Sequence, residues 1–196
     1  MGKRLFVDMD GTLAVFKIID CEERLLEKGY YYNLEPHQNV VDAVKNIYMN
    51  EPDIEVFVLS AYLTDSKYAL EEKNLWLDRY LPMIDESHRY FVPYGQDKLT
   101  FIQNKGEYPS PDDYLLDDYS PNLHYWEPPA KGIKFMNGIN GTKGTWHKDS
   151  VGIERDASDM ADCIKDIVLN NANYNDKGPN HIEPAETDIN RRGNGR

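Results

Sequence analysis

Asp8-Met9-Asp10-Gly11-Thr12 follows directly on the apolar run Leu5 to Val7. In extended chain alternate residues point the same way, so Asp8 and Asp10 project together from the carboxyl end of a strand. In an open α/β sheet that edge is where ligands bind. Two carboxylates held side by side repel unless a cation lies between them, and a hard, all-oxygen donor set suits Mg²⁺. Gly11 would let the backbone turn sharply and approach a ligand. An EF-hand loop counted from Asp8 fails, because it puts Thr12 and Ala14 at ligand positions and Ile19 where a Glu is required. The plain alternative is an Asx turn that closes a strand.

Three further groups could join this pair. Ser60, followed by Ala61, ends the run Val56 to Leu59; Lys98 opens a helical stretch after Gly95-Gln96-Asp97; Asp117 and Asp118 follow Leu115-Leu116. Taken singly, Ser60 reads as a turn hydroxyl, Lys98 as a solvated helix lysine, and the acidic pair as a turn and cap ahead of Ser120-Pro121. Their convergence on one edge of one sheet is what favours chemistry.

The elements that must position them can be read from patterning. Leu5 to Val7, Val56 to Leu59, Tyr90 to Val92 and Tyr114 to Leu116 are short apolar runs without alternation, as expected of buried parallel strands. Helical spacing lies between them, over Val40 to Met49 and over Ser66 to Leu81, with Asp65 or Ser66 as N-cap. Ser158 can cap a last helix, Asp159 to Leu169. Alternating strands and helices predict an α/β three-layer sandwich around a mostly parallel, Rossmann-like sheet.

About 45 residues separate Asp10 from the second strand, against the dozen or so of a plain crossover. An inserted cap over about residues 14–38 is therefore expected, mostly helical from Phe16 to Lys28 and carrying Tyr30, Tyr31 and Tyr32. The stretch Gly132 to Trp146 contains no G-x-x-x-x-G-K-[ST] and predicts a fifth strand entering a hairpin-like loop. Residues 171–196 hold six Asn, two Pro and three Gly with few apolar groups, and are expected to form a flexible tail after a domain spanning 1–170.

Of the 196 residues, 22 are Lys or Arg against 34 Asp or Glu, a net charge of −12. That balance disfavours a protein tracking a nucleic-acid backbone, and it also means that phosphate chemistry would need local positive charge or a metal ion. Asp8, Asp10, Asp97, Asp117 and Asp118 lie in or beside the candidate motifs, so part of the excess is attributable to a metal site. Cys21 and Cys163 form no C-x-x-C, and the five His show no zinc spacing. No run approaches 18 apolar residues, and Asp8 interrupts any signal-peptide core. The expectation is a soluble, untargeted protein in a reducing cytoplasm, with a homodimer admissible.

Asp8-x-Asp10-Gly11-Thr12, Ser60, Lys98 and Asp117-Asp118 resemble, in order and placement, the four motifs of the haloacid dehalogenase (HAD) superfamily of phosphotransferases, over residues 4–118. The resemblance implies Asp8 as nucleophile, forming an aspartyl-phosphate, and Asp10 as general acid and base. It further implies Ser60, Ala61 and Lys98 on the phosphoryl oxygens. Mg²⁺ would be held by Asp8, the Asp10 carbonyl and the acidic pair, with Asp118 the direct ligand and Asp117 its support. The early cap, Asp65 to Leu77, Phe91-Val92-Pro93 and Asp117-Asp118-Tyr119 look like the 5'(3')-deoxyribonucleotidase branch. This implies a nucleoside or deoxynucleoside monophosphate substrate, with Phe16, Tyr31 and Tyr32 as candidate base contacts. A sugar phosphatase and a non-catalytic nucleotide-binding protein are the alternatives. The retention of all five of Asp8, Asp10, Ser60, Lys98 and Asp118 argues against the second.

Overall fold

The computed structural model describes residues 2–16, 21–139 and 146–176. The apolar runs are strands: Lys3–Val7 (β1), Ile54–Tyr62 (β2), Arg89–Pro93 (β3), Asp113–Asp117 (β4) and Lys131–Met136 (β5). A sixth, Ser150–Gly152 (β6), was not foreseen because Val151 is its one apolar residue and no run marks it. All neighbours pair in parallel, in the order β3-β2-β1-β4-β5-β6.

Among the described residues five helices flank the sheet: Gln38–Asn50 (α1), Ala69–Tyr80 (α2), Lys98–Asn104 (α3), Ser120–Trp126 (α4) and Ala157–Asn170 (α5). Side chains alternate across β1, so Leu5 and Val7 enter one core cluster and Phe6 the other. The first joins Val44 and Ile47 of α1, Trp76 and Leu77 of α2, and Ile164 and Val168 of α5. The second joins Ile102 of α3 and Leu123 and Trp126 of α4 to Phe57 and Leu115. Each such side chain contributes about 1.5–3 kcal/mol on burial, and only a sheet covered on both faces can bury both sets. The result is the expected three-layer α/β sandwich. Among the described residues no helix is long and apolar enough to cross a membrane.

Three local expectations are corrected. Ser158 is not the cap of α5: the helix starts at Ala157, and Asp156, still extended, accepts the Asp159 N–H at 2.9 Å. α2 starts at Ala69, where the Ser66 hydroxyl accepts from the Tyr68 and Ala69 amides. In the insertion the helical part described is one 3₁₀ turn, Glu22–Leu26, which buries no residue and so has no apolar face to stabilise a longer helix; residues 17–20 lie outside the described residues. Of the segment expected to be a tail, residues 171–176 lie along β6: Ser150 N–H donates to the Tyr174 carbonyl at 2.8 Å, and Arg155 pairs with Asp176. Residues 140–145 and 177–196 lie outside the described residues.

His37 immediately precedes α1, its ring edge-on to Phe135 and its Nε2 without a partner among the described residues. Burial pushes its pKa below the usual 6.5. The fold therefore takes up this proton less readily than the unfolded chain, so its contribution to stability is complete above that value and is lost as pH falls through the folded pKa. His37→Leu is expected to shrink the drop in unfolding free energy between pH 7.5 and 5; urea melts giving equal drops in both proteins would contradict this.

Candidate active site

β1 pairs with β2 on one side and β4 on the other, so the chain leaves the carboxyl ends of β1 and β4 in a crevice at a topological switch point. Asp8 continues β1 by one residue, its N–H donating to the Leu116 carbonyl at 2.9 Å. The chain then turns at Gly11, whose φ is +87°, and Ala14 N–H closes back on the Met9 carbonyl. A Cβ at Gly11 would lie 2.4 Å from Oδ2 of Asp118. Gly11→Ala combines that clash with an unfavourable φ. It is expected to destabilise the fold by about 1–3 kcal/mol and to displace the Asp118 carboxylate; an unchanged denaturation midpoint would refute it.

Asp8, Asp117 and Asp118 are buried and each offers a carboxylate oxygen within 4.8 Å of the others. Lys98, at the start of α3 and buried, donates to Asp8 Oδ1 and to Asp117 Oδ2, both at 2.6 Å. Asp97 sets the start of that helix by accepting the Thr100 N–H. Burial alone would lower the Lys98 pKa, but the Asp117 and Asp8 charges outweigh it and hold the ammonium above its ordinary value. Burial pushes the Asp8 carboxyl up, Lys98 opposes the rise, and Asp117, Asp10 and Asp118 reinforce it. The pocket is short of positive charge. Three converging carboxylates with that deficit are a donor set that fits a hard divalent cation.

The acids differ in their other partners. Asp117 accepts the Tyr119 N–H at 2.8 Å and the Asn122 amide at 2.9 Å in addition to Lys98. Asp118 accepts from Asn137 Nδ2 at 2.8 Å, and the same amide reaches the Gly11 carbonyl at 2.8 Å. Asp118 N–H donates to Thr12 Oγ1, and buried Lys134 donates to the Asp118 carbonyl and to Ser120. Asp10 stands outside the carboxylate trio: Lys73 of α2 donates to its Oδ2 at 2.6 Å, while its Oδ1 has no partner among the described residues. Lys73 also donates to Ser60 Oγ at 3.2 Å.

A cleft of about 250 Å³ opens over these groups, with Asp8, Asp10, Asp117, Asp118 and Ala61 among its lining and an apolar wall of Phe16, Leu25, Tyr31, Tyr62, Leu63, Tyr94 and Tyr119. Ser60 and Lys98 lie behind that lining. Of the three candidate base contacts, Phe16 and Tyr31 line the cleft, whereas Tyr32 is not part of the lining and is 38% exposed.

Sequence reasoning missed Lys73, Lys134, Asn122 and Asn137 as members of the site. For Lys73 a signal existed: Ala69, Glu72, Lys73, Trp76 and Leu77 form the buried stripe of α2, so two charged residues occupy positions where helical spacing calls for apolar ones. Asn137, next to Gly138 at the end of β5, carries no mark that separates it from a turn residue.

No protein-family model matches the chain, and no curated protein matches it in sequence. Among solved structures, D,D-heptose 1,7-bisphosphate phosphatase from Burkholderia thailandensis aligns with a TM-score of 0.54 at 12% identity, over 81% of this chain and 96% of that one. The likeness is one of fold: a parallel sheet between helical layers, the architecture that the HAD-like motifs imply.

Proposed function

We propose that the chain is a phosphoric monoester hydrolase of the HAD superfamily that works through an aspartyl-phosphate on Asp8 and acts on nucleoside or deoxynucleoside monophosphates. The observation that carries the reading is the buried trio Asp8, Asp117 and Asp118 at the floor of a cleft, the first two bridged by Lys98, with Asp10 held beside it by Lys73. A phosphate monoester is a dianion, which a carboxylate can approach only where cationic groups offset both charges.

In this mechanism Asp8 attacks phosphorus in line, the P–O bond to the leaving group breaks, and Asp10 gives its proton to the departing alkoxide. Asp10, now a carboxylate, takes a proton from water, which attacks the acyl-phosphate, releases phosphate and restores Asp8. Lys98 orients the nucleophile, Ala61 faces the phosphoryl oxygens from the lining of the cleft, and Lys73, behind it, ties Asp10 to Ser60. A Mg²⁺ ion held by Asp8, Asp118 and the Asp10 carbonyl, with Asp117 in support, would supply further charge neutralisation.

The aromatic wall supports a nucleoside leaving group, since a base stacked on such a ring is worth about 1–3 kcal/mol. The solved structure that shares the fold is named for a sugar phosphate, which favours the second reading, hydrolysis of a sugar phosphate. Under either, the substrate is a small ester in the cytoplasm, not a nucleic-acid polymer. Phosphate release should be assayed over deoxy- and ribonucleoside monophosphates, sugar phosphates and an aryl phosphate, with Mg²⁺ and with chelator. Nucleotide turnover that stops on chelation is expected. Turnover of sugar phosphates alone would discard the nucleotide claim, and activity indifferent to chelation would discard the metal.

A further inference from the structure

Glu72 lies on the buried stripe of α2 beside Lys73, is 5% exposed, and touches none of the acids of the site. Its carboxylate accepts three backbone N–H groups of the insertion: Gly29 on Oε1, and Tyr31 at 3.1 Å and Tyr32 at 3.4 Å on Oε2. A carboxylate taken out of water is expensive unless hydrogen bonds replace its hydration, and here one turn of the insertion replaces it. The turn is shaped for this, with Gly29 at φ +89° where a side chain is strained. Trp76, one turn further along α2, holds the following segment by donating Nε1–H to the Leu34 carbonyl at 2.8 Å.

The turn fixed in this way presents Tyr31, 3% exposed, as a wall of the cleft. Its ring lies 5.1 Å from Nζ of Lys73, the ammonium bound to Asp10 and Ser60. Neighbouring residues on one helix thus hold the two sides of the cleft: Lys73 the polar floor, Glu72 the aromatic wall.

We propose that Glu72 is a positioning residue for leaving-group selection, which sets Tyr31 at the distance from the phosphoryl site that the base of a nucleoside leaving group requires. This rests on the phosphomonoesterase reading and adds to it the residue that determines how far specificity depends on the insertion. In Glu72→Gln an N–H₂ group replaces one acceptor and faces amides that also donate, so the turn loses its anchor while the volume on α2 is preserved.

The test compares kcat/KM for a purine nucleoside 5'-monophosphate with that for glycerol phosphate, in wild type and Glu72→Gln, alongside hydrogen exchange of the peptide spanning residues 27–34. Exchange in that peptide should quicken, and the ratio of the two kcat/KM values should fall about tenfold through KM for the nucleotide, the scale of one lost packing contact. Gly29→Ala disturbs the same turn without touching α2; a Cβ there would meet Asn33 Nδ2 at 2.9 Å, and it should shift the ratio the same way. Faster exchange with an unchanged ratio in both variants would overturn the positioning role while leaving the hydrolase intact. Unchanged exchange would overturn the anchor itself. A wild type inert toward both esters would remove the reading on which the proposal rests.

Discussion

Asp8→Asn is expected to lower phosphate release by about 10⁵-fold or more while raising the stability of the metal-free protein. The first effect follows from chemistry: an amide oxygen does not displace an alkoxide from phosphorus, and loss of a covalent nucleophile typically removes most of an enzyme's rate enhancement. The second follows from the pocket. Burial and three neighbouring carboxylates push the Asp8 carboxyl up, so ionising it costs free energy that Asn does not incur, while the Asn carbonyl can still accept from Lys98. A gain of about 1 kcal/mol in chelator is a reasonable scale for relieving such a conflict at a functional site. Thermal melts in chelator and a sensitive phosphate assay check both halves. Retention of more than about 1% of activity, far above the residue left after loss of a nucleophile, would exclude Asp8 as nucleophile.

Lys98→Met is expected to act in the opposite direction on stability. Lys98 is 4% exposed and bridges Asp8 and Asp117. Methionine of similar length would leave both carboxylates buried without that counter-charge. Removing one partner of a buried ion pair costs about 3–5 kcal/mol, which for a chain of this size lowers the melting temperature by roughly 10 °C. Activity should fall about 10²–10³-fold, as for loss of one electrostatic contact to a reacting group. The discriminating measurement is the response to Mg²⁺. If the ion enters the carboxylate trio, it supplies charge where Lys98 supplied it, and the variant should gain more melting temperature from Mg²⁺ than wild type. Equal gains in the two proteins would separate the ion from this cluster.

Much of this arrangement was legible from residue order. The runs at Leu5, Val56, Tyr90 and Tyr114 had to be buried strands, and a residue directly after such a run must appear near its carboxyl edge; hence Asp8, Asp117 and Asp118 could be placed from residue order, and so could Ser60, although β2 runs on through it to Tyr62. Lys98 was placed because it opens a helical stretch after Gly95-Gln96-Asp97, as the resemblance implies. What escaped was whatever depends on partners remote in sequence. Asn137 matters because β5 ends beside Asp118 and Gly11, a neighbourhood that only the strand order reveals. Lys73 was obscured because a lysine on an amphipathic helix ordinarily faces water. The insertion was expected to be mostly helical because its spacing permits a helix, but spacing cannot report that no apolar face of Glu22–Leu26 is buried. β6 escaped because its three residues form no apolar run, and its far edge is joined to residues near Tyr174.

The strand order has a consequence during synthesis. Of the described strands β1, with Asp8 next to it, is made before its two sheet neighbours β2 and β4, and the groups that balance and orient the acids come from Lys73, Lys98, Asn122 and Asn137. Until Lys98 has emerged, the nascent chain holds Asp8 without its counter-charge, and until Asn137 has emerged it lacks the amide that ties Asp118 to the Gly11 turn. A partly made molecule therefore lacks the complete acidic cluster and its partners, and the same non-local pairing makes assembly of the sheet centre a late event on the growing chain.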